Sequence, residues 1–504
     1  MPQKPVMLLG LDIGVSVVKA ALFATDGSLS FTASRAMPAD HPSPGRTEKD
    51  AEALWQTCCG VIREVIDRSG GASIEAAGIC ACGNGCVLLD ADDKVLGPII
   101  LSSDTRAAEI STQWQSGIWQ EKLFPKIQQS LYPGQTAVLL RWVRDHQPEI
   151  YHRIARVMLV KDFIRWKLTG EFASDFSDLG ATGLLNLHTR SYDAEILAAL
   201  GLSEIAHALP PARQSISTGG AVTADAAKAC GLRQGLPVAV GSLDCEAALL
   251  GAAASEHRTL SVIAGSWSIN QTRVPNLLND PSLFLTTCGA EPNTFTVLEG
   301  SPTSAVNFDW HARNFYDESS GDGGANRYDK AVAEAMALPI DEDGPLYLPF
   351  LFGAPQDPSL RASFLHLSPR HGRADFTRAV LEGIVFGHAW HIAKLRRAGL
   401  EFDLIRLSGG ASRNALWLQL FADILGMPIA VGEAEEIGAL GAAMCAGIAI
   451  GRWPAAADAA QSLCREKSRI APDAAAHQRY QRKFQRYQAA IAALTHKTSI
   501  TPTI

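Results

Sequence analysis

Asp12-x-Gly14-x-Ser16 places a carboxylate beside a glycine bend between two apolar runs. Glycine allows a tight turn and lets backbone N–H groups approach an anion, and a carboxylate there suits a hydrated Mg2+ that bridges phosphates. The same string also reads as an aspartate capping a hairpin turn, and Lys19 in the next run reads equally as an edge-strand charge or a phosphate contact. The second stretch, Val238-Ala-Val-Gly-Ser-Leu-Asp244, ends a strand with a Gly-Ser loop and opens an alanine-rich helix. A carboxylate outside the carboxyl end of a strand lies where open α/β sheets bind ligands, so Asp244 can serve as a general base toward a hydroxyl. An N-cap role satisfies the same residues. Glu246, two residues further on, reads as a complement to the helix dipole. The third stretch, Leu407-Ser-Gly-Gly-Ala-Ser-Arg-Asn414, ends a strand with a glycine pair and leads into a helix. Gly409, Gly410, Ser412 and Asn414 thereby offer backbone N–H groups and a positive helix end to a nucleotide. This is neither a P-loop nor a dinucleotide fingerprint, and plain strand-turn-helix packing stays open.

These residues need strands to hold them. Val6–Leu11 and Val17–Phe23 form a hairpin around Asp12, Gly14 and Ser16, ended by the turn Thr25-Asp26-Gly27. Thr259–Val274 has the same plan, with Gly265-Ser266 at its bend. Gly14 and Gly265 lie 265 − 14 = 251 positions apart, about half the chain, which suggests two domains that open alike. Between them, amphipathic helices such as Ala51–Ile66 alternate with short strands such as Ala76–Ala81, the pattern of an α/β fold. In the second half, Phe376–Leu395, Ala415–Leu425 and Ala439–Ala449 read as helices around a strand Leu404–Leu407, and Ala474–Leu494 as a terminal helix. The domain join falls near Leu249–Glu256.

A chain of 504 residues exceeds what one hydrophobic core supports, which gives two domains of roughly 200–250 residues. The predicted organisation is 1–250, 251–475 and a terminal helical segment 476–504. Lys+Arg 45 against Asp+Glu 52 leaves a net charge of −7 with no basic block, which argues against nucleic acid and against a basic membrane surface. No apolar run approaches the ~18 residues of a membrane span. The start Met-Pro-Gln-Lys-Pro runs into Val6–Leu11 and then Asp12, which cuts short the apolar region of a signal peptide, so the expected location is the cytoplasm. The ten cysteines read as reduced buried thiols, and Cys80-x-Cys82-x3-Cys86 lacks the paired spacing of a zinc site.

Taken together, two hairpin bends, a carboxylate at a helix start and a late Gly-Gly helix entry describe phosphoryl transfer from a nucleotide. The chain resembles the FGGY carbohydrate kinases of the actin-like ATPase superfamily, essentially end to end. The carrying segments are Leu9-Gly-Leu-Asp12-Ile-Gly14, Ile100–Arg106, Val160–Gly170, Gly241–Asp244, Leu407–Asn414 with Leu418–Asp423, and Glu436–Met444. The resemblance implies two actin-like (ribonuclease H-like) domains, each a mixed sheet flanked by helices, with MgATP and a sugar in the cleft between them. It puts Asp12 on the Mg2+ and phosphate side, makes Gly265-Ser266 the second phosphate loop and Asp244 the base, and lines the adenosine pocket with Ser408–Ser412 and Asn414. Such a carboxylate is apt because the phosphoryl group needs alignment and charge neutralisation more than covalent help.

Family matching assigns Asp104, Arg106, Asn84 and Gly85 to the sugar. Gly83-Asn84-Gly85 stands where D-xylulose kinases carry Gln-Met-His-Gly, with Cys82 for Gln and Asn84 for His. Leu131–Gln135, Leu139–Trp142, Gly300–Ser304 and Asn307–Trp310 are similar to the L-xylulose kinase branch. The expected substrate is therefore a ketopentose, L-xylulose ahead of D-xylulose. A polyol of the erythritol type is the alternative, since erythritol kinases also carry Gly-Asn-Gly, and a non-catalytic sugar-responsive regulator on the same scaffold is a further one. Family analogy admits a homodimer.

Overall fold

The computed structural model describes residues 6–27, 30–317, 326–354 and 360–495. The N-terminal pentapeptide read above for targeting, and the last nine residues of the 476–504 segment, lie outside them. The chain divides into two compact units. Unit 1 comprises Met1–His257 with Thr272–Val297 and Glu436–Arg465; unit 2 comprises Arg258–Gln271, Leu298–Glu435 and Glu466–Ile504.

Unit 1 is built on the first hairpin. Val6–Ile13 pairs antiparallel with Val17–Ala24 and parallel with Ser73–Ala81. Beyond Ser73–Ala81 lie Pro237–Ala239, parallel to it through Val238 and Ala77, and then Thr218–Ala221, antiparallel to Pro237–Ala239. Ala51–Arg68 forms a helix because Leu54, Trp55, Cys58, Val61, Ile62 and Val65 recur on one face and are buried. Its first turn is capped by Asp50, whose side chain accepts the N–H of Ala53 at 2.7 Å.

The helix Ile437–Ala449 belongs to this unit although it is remote in sequence. It reaches the sheet because the strands carry glycine where it lands. A Cβ on Gly10 would lie 1.8 Å from the carbonyl oxygen of Ala439, and one on Gly78 would lie 1.8 Å from that of Ala442. Only a residue without a side chain admits so close a backbone approach.

Unit 2 repeats the plan. Thr259–Ala264 pairs antiparallel with Ser268–Val274, in register from Ser261↔Gln271 to Ala264↔Ser268, and parallel with Leu404–Gly409. Ile429–Gly432 follows in parallel and Glu466–Ile470 antiparallel. Five consecutive strands thus have the same order and the same pairing senses in both units, and the repeat suggested by two glycine bends extends through each sheet. The chain enters the outer antiparallel pair in opposite order in the two, Thr218–Ala221 before Pro237–Ala239 but Glu466–Ile470 after Ile429–Gly432. The terminal helix Ala474–Thr495 packs on the helix Arg373–Arg397, with Phe484 stacked on Phe386 at 5.6 Å. Lys483 and Arg378 both bond the buried Glu382, at 2.6 and 2.8 Å.

Candidate active site

In unit 1 the sheet register brings two carboxylates to the carboxyl end of one strand. Asp12 stands opposite Cys80 on one side of Ser73–Ala81, and Ser242-Leu243 pair with Cys80 and Ala81 on its other side. Asp244 follows at once as the first residue of the helix Asp244–Gly251. The structure therefore decides against an N-cap role: Leu243 occupies the cap position, and the Asp244 side chain accepts the N–H of its own neighbour Cys245 at 2.7 Å. Burial, helped by the charge of Asp12, pushes the Asp244 carboxyl up to about 7. Burial also raises Asp12, against the lowering effect of Lys19.

Space at Asp12 is kept by a glycine. A Cβ on Gly438 would sit 2.6 Å from Asp12 Oδ2. The missing side chain lets the carboxylate lie against the helix start, and a single carboxylate suits a cation that keeps several waters and takes its other ligands from phosphates. Lys19, in register with Asp12, gives its ammonium to Glu436 at 2.6 Å.

The first bend closes through the Gly14 N–H on the Val17 carbonyl at 3.0 Å, and Ser16 is exposed at its tip. Beneath it the buried Lys49 donates to the Gly14 carbonyl at 3.3 Å. The second bend is one residue shorter, with the Gly265 N–H on the Trp267 carbonyl at 3.3 Å and Ser266 exposed. Also in unit 2, Gly409 is in register with Ala264 of the strand that feeds this bend. Ser412 Oγ donates to the Gly409 carbonyl at 2.7 Å, while Gly409 and Gly410 are exposed. Asn414 caps the helix Ala415–Leu425, its Oδ1 taking the N–H groups of Leu416 and Trp417 at 3.1 and 3.3 Å. Its Nδ2 donates to Asp329 at 3.0 Å.

The residues assigned to the sugar fall into two groups. Asp104 and Arg106 form a bidentate pair at 2.8 Å on both arms, and Arg106 also bonds Glu48 at 2.5 Å and lies over the Trp142 ring. Asp104 further accepts the Thr47 N–H at 2.7 Å. A pair so saturated holds neighbouring loops together. Asn84 and Gly85 form a left-handed turn, in which Asn84 Oδ1 accepts the Thr136 N–H at 3.1 Å. Gly83 links this turn to the acidic pair, because a Cβ there would meet the side chain of Leu243, the residue before Asp244.

Two buried carboxylates near the Asp244 helix were read differently or not at all from the sequence. Glu246 does not face the helix dipole from solvent but is fully buried, accepting from Arg273 at 2.5 Å, the Ala290 N–H at 2.9 Å and Thr296 Oγ1 at 2.5 Å. Asp178, in the short helix Phe176–Ala181, is also fully buried. Their signal in the sequence is an acidic residue inside an otherwise apolar or small-residue helix.

Residues 7–251 match the N-terminal domain of the FGGY family of carbohydrate kinases, and residues 260–450 match its C-terminal domain. The chain belongs to the FGGY family. It is a carbohydrate kinase, a phosphotransferase with an alcohol group as acceptor, and the family implies use of ATP. An Escherichia coli protein named L-xylulose/3-keto-L-gulonate kinase is 36% identical over 96% of this chain and 97% of its own. A Pasteurella multocida protein named probable L-xylulose kinase is 32% identical over 96% and 98%. Among solved structures, the xylulose kinase of Rhodospirillum rubrum superposes with a TM-score of 0.86 at 26% identity, covering 97% of this FGGY chain and 100% of its own. The two mixed sheets are those of the actin-like fold expected from the sequence. Among the described residues, no helix is long and apolar enough to cross a membrane.

Proposed function

We propose that this FGGY kinase transfers the γ-phosphoryl group of ATP to a hydroxyl of a ketopentose, L-xylulose first, with Asp244 as general base. The observation that carries the reading is Asp244 itself: a half-buried carboxylate at a strand end, with its pKa raised to about 7 by burial and by Asp12. A base poised near the working pH is half ready to accept a proton and strong enough to hold it. As the acceptor oxygen bonds the γ-phosphorus, its proton passes to Asp244, and the γ-phosphorus–oxygen bond breaks to leave ADP. Asp12 would hold Mg2+, which when bound offsets phosphate charge. Gly14, Ser16, Lys19, Gly265, Ser266, Gly409, Gly410, Ser412 and Asn414 are the residues proposed for the nucleotide. Asn414 would do so through its backbone, since its side chain is engaged in capping.

L-xylulose is favoured by the names of the Escherichia coli and Pasteurella multocida relatives and by the segments Leu131–Gln135, Leu139–Trp142, Gly300–Ser304 and Asn307–Trp310, while Asn84 in the Gly83–Gly85 turn speaks against D-xylulose. The test is a coupled ADP-release assay across ketopentoses, ketohexoses, 3-keto-L-gulonate and C4–C6 polyols. The highest kcat/KM is expected with L-xylulose. Strong turnover of erythritol with none of L-xylulose would replace the ketopentose by a polyol.

A further inference from the structure

In unit 2 the helix Arg373–Arg397 buries polar side chains along one face. His388, 0% exposed, lies among Ser268, Asn270 and Ser304, and one turn further His391 bonds Glu299 and Ser301 at 3.1 and 3.2 Å. The partners of His388 fix which ring nitrogen bears the proton. The Asn270 amide nitrogen donates to Ser268 Oγ and to the Glu299 carbonyl, both at 3.3 Å, which turns Asn270 Oδ1 toward the ring. His388 Nδ1 is therefore the donor, to Asn270 Oδ1 at 2.9 Å and, shared, to Ser268 Oγ at 3.1 Å. Nε2 accepts from Ser304 Oγ at 2.9 Å. Burial, with His391 nearby, pushes the imidazole down to about 3, so the ring keeps this one neutral form.

These contacts end at the segments proposed for the nucleotide. Ser268 is the first strand residue after the bend Gly265–Trp267, and it pairs with Ala264, the last residue before it. The bend closes through a long hydrogen bond, Gly265 N–H to the Trp267 carbonyl at 3.3 Å, and Ser266 and Trp267 stand exposed. A loop with so little packing of its own takes its position from its anchors. On another side the His388 ring meets the ring of the buried Phe421 edge-on, with centroids 5.5 Å apart. Phe421 lies on the helix Ala415–Leu425, which Asn414 of the Gly409–Asn414 loop caps. One side chain thus touches the elements that carry both nucleotide segments of unit 2.

We propose that His388 is a positioning residue for the nucleotide: hydrogen-bonded to Ser268 and packed on Phe421, it sets the second phosphate bend relative to the Gly409–Asn414 loop. This rests on the reading of Gly265-Ser266 as a phosphate loop and adds what holds that loop in place. The imidazole touches no reacting atom, and its effect reaches ATP through Ser268.

The test measures KM for ATP and KM for the acceptor separately by ADP release, with the acceptor that gives the highest kcat/KM. His388→Leu should raise the ATP KM about tenfold and leave the acceptor KM within about twofold, a split that mere loss of folded enzyme does not produce. His388→Gln keeps a donor and an acceptor and should recover most of that loss. Ser268→Ala should raise the ATP KM about threefold, which keeps the proposal falsifiable if His388→Leu does not fold. The double variant should be no worse than His388→Leu, because both changes break the same contact. An unchanged ATP KM in His388→Leu or in Ser268→Ala, an equal rise in both KM values, or additive effects in the double variant would overturn the role of His388. Ser266→Asp puts a negative charge on the exposed bend and tests the reading beneath. An unchanged ATP KM there would overturn the bend as a phosphate loop, whereas a raised one beside an unaffected His388→Leu would overturn His388 alone. A wild type that releases no ADP with any acceptor would overturn both.

Discussion

Replacing Asp244 by Asn should make the protein more stable at alkaline pH while removing the proposed base. Folding raises this carboxyl from an ordinary 3.8 to about 7, mainly by burial. Below 3.8 it is neutral in both folded and unfolded chains and folding carries no penalty. As pH rises, the unfolded chain ionises first, so stability falls between 3.8 and about 7 and is level above. At full weight the gap corresponds to roughly 4 kcal/mol at 1.36 kcal/mol per pH unit. Asp244 is only half-buried, so solvent screening reduces the expected gain to about 1–3 kcal/mol. Asn keeps an oxygen for the Cys245 N–H, so no hydrogen bond is lost with the charge. Urea unfolding of ligand-free wild type and Asp244→Asn should show the variant ahead by that amount at pH 8 and level with wild type at pH 4. An equal gain at both pH values, or none at pH 8, would refute the argument that burial strains this carboxylate.

Since the base must be deprotonated to act, kcat/KM for the acceptor should fall about tenfold per pH unit below about 7 and level off above it. A flat profile from pH 5.5 to 8 would dismiss Asp244 as the group that accepts the proton. Gly78→Ala would put a Cβ 1.8 Å from the Ala442 carbonyl, a contact only backbone movement can relieve. It should cost about 1–3 kcal/mol in denaturant unfolding, and an unchanged midpoint would show that the helix Ile437–Ala449 is not held against the strand as described.

The hairpins were legible because strand patterning and bend residues are local. Val6–Leu11 and Val17–Phe23 differ from the observed strands by one or two residues at their ends, and Ala415–Leu425 coincides with the helix found. Asp244 was legible for the same reason, since a carboxylate at a strand-loop-helix junction is a local pattern. Asp178 and Glu246 were not. Their surroundings are long-range, and neither the pairing of Lys161 with Asp175 nor that of Glu246 with the distant Arg273 can be read from neighbours in the chain. Arg106 is the reverse case: the sequence offers a free cation for a sugar, and the fold returns one already bound to Asp104 and Glu48.

The sequence by itself determined the element types, the two glycine bends and the identities of the two candidate acids, because each depends on residues a few positions apart. Only the tertiary structure decided that Asp12 and Asp244 flank the end of one strand, and that Gly438, 438 − 12 = 426 positions from Asp12, is the residue that leaves its carboxylate room. The reason is register: which residues face each other across a sheet is set by long-range pairing and by which glycines allow a helix to land, and no local pattern encodes either.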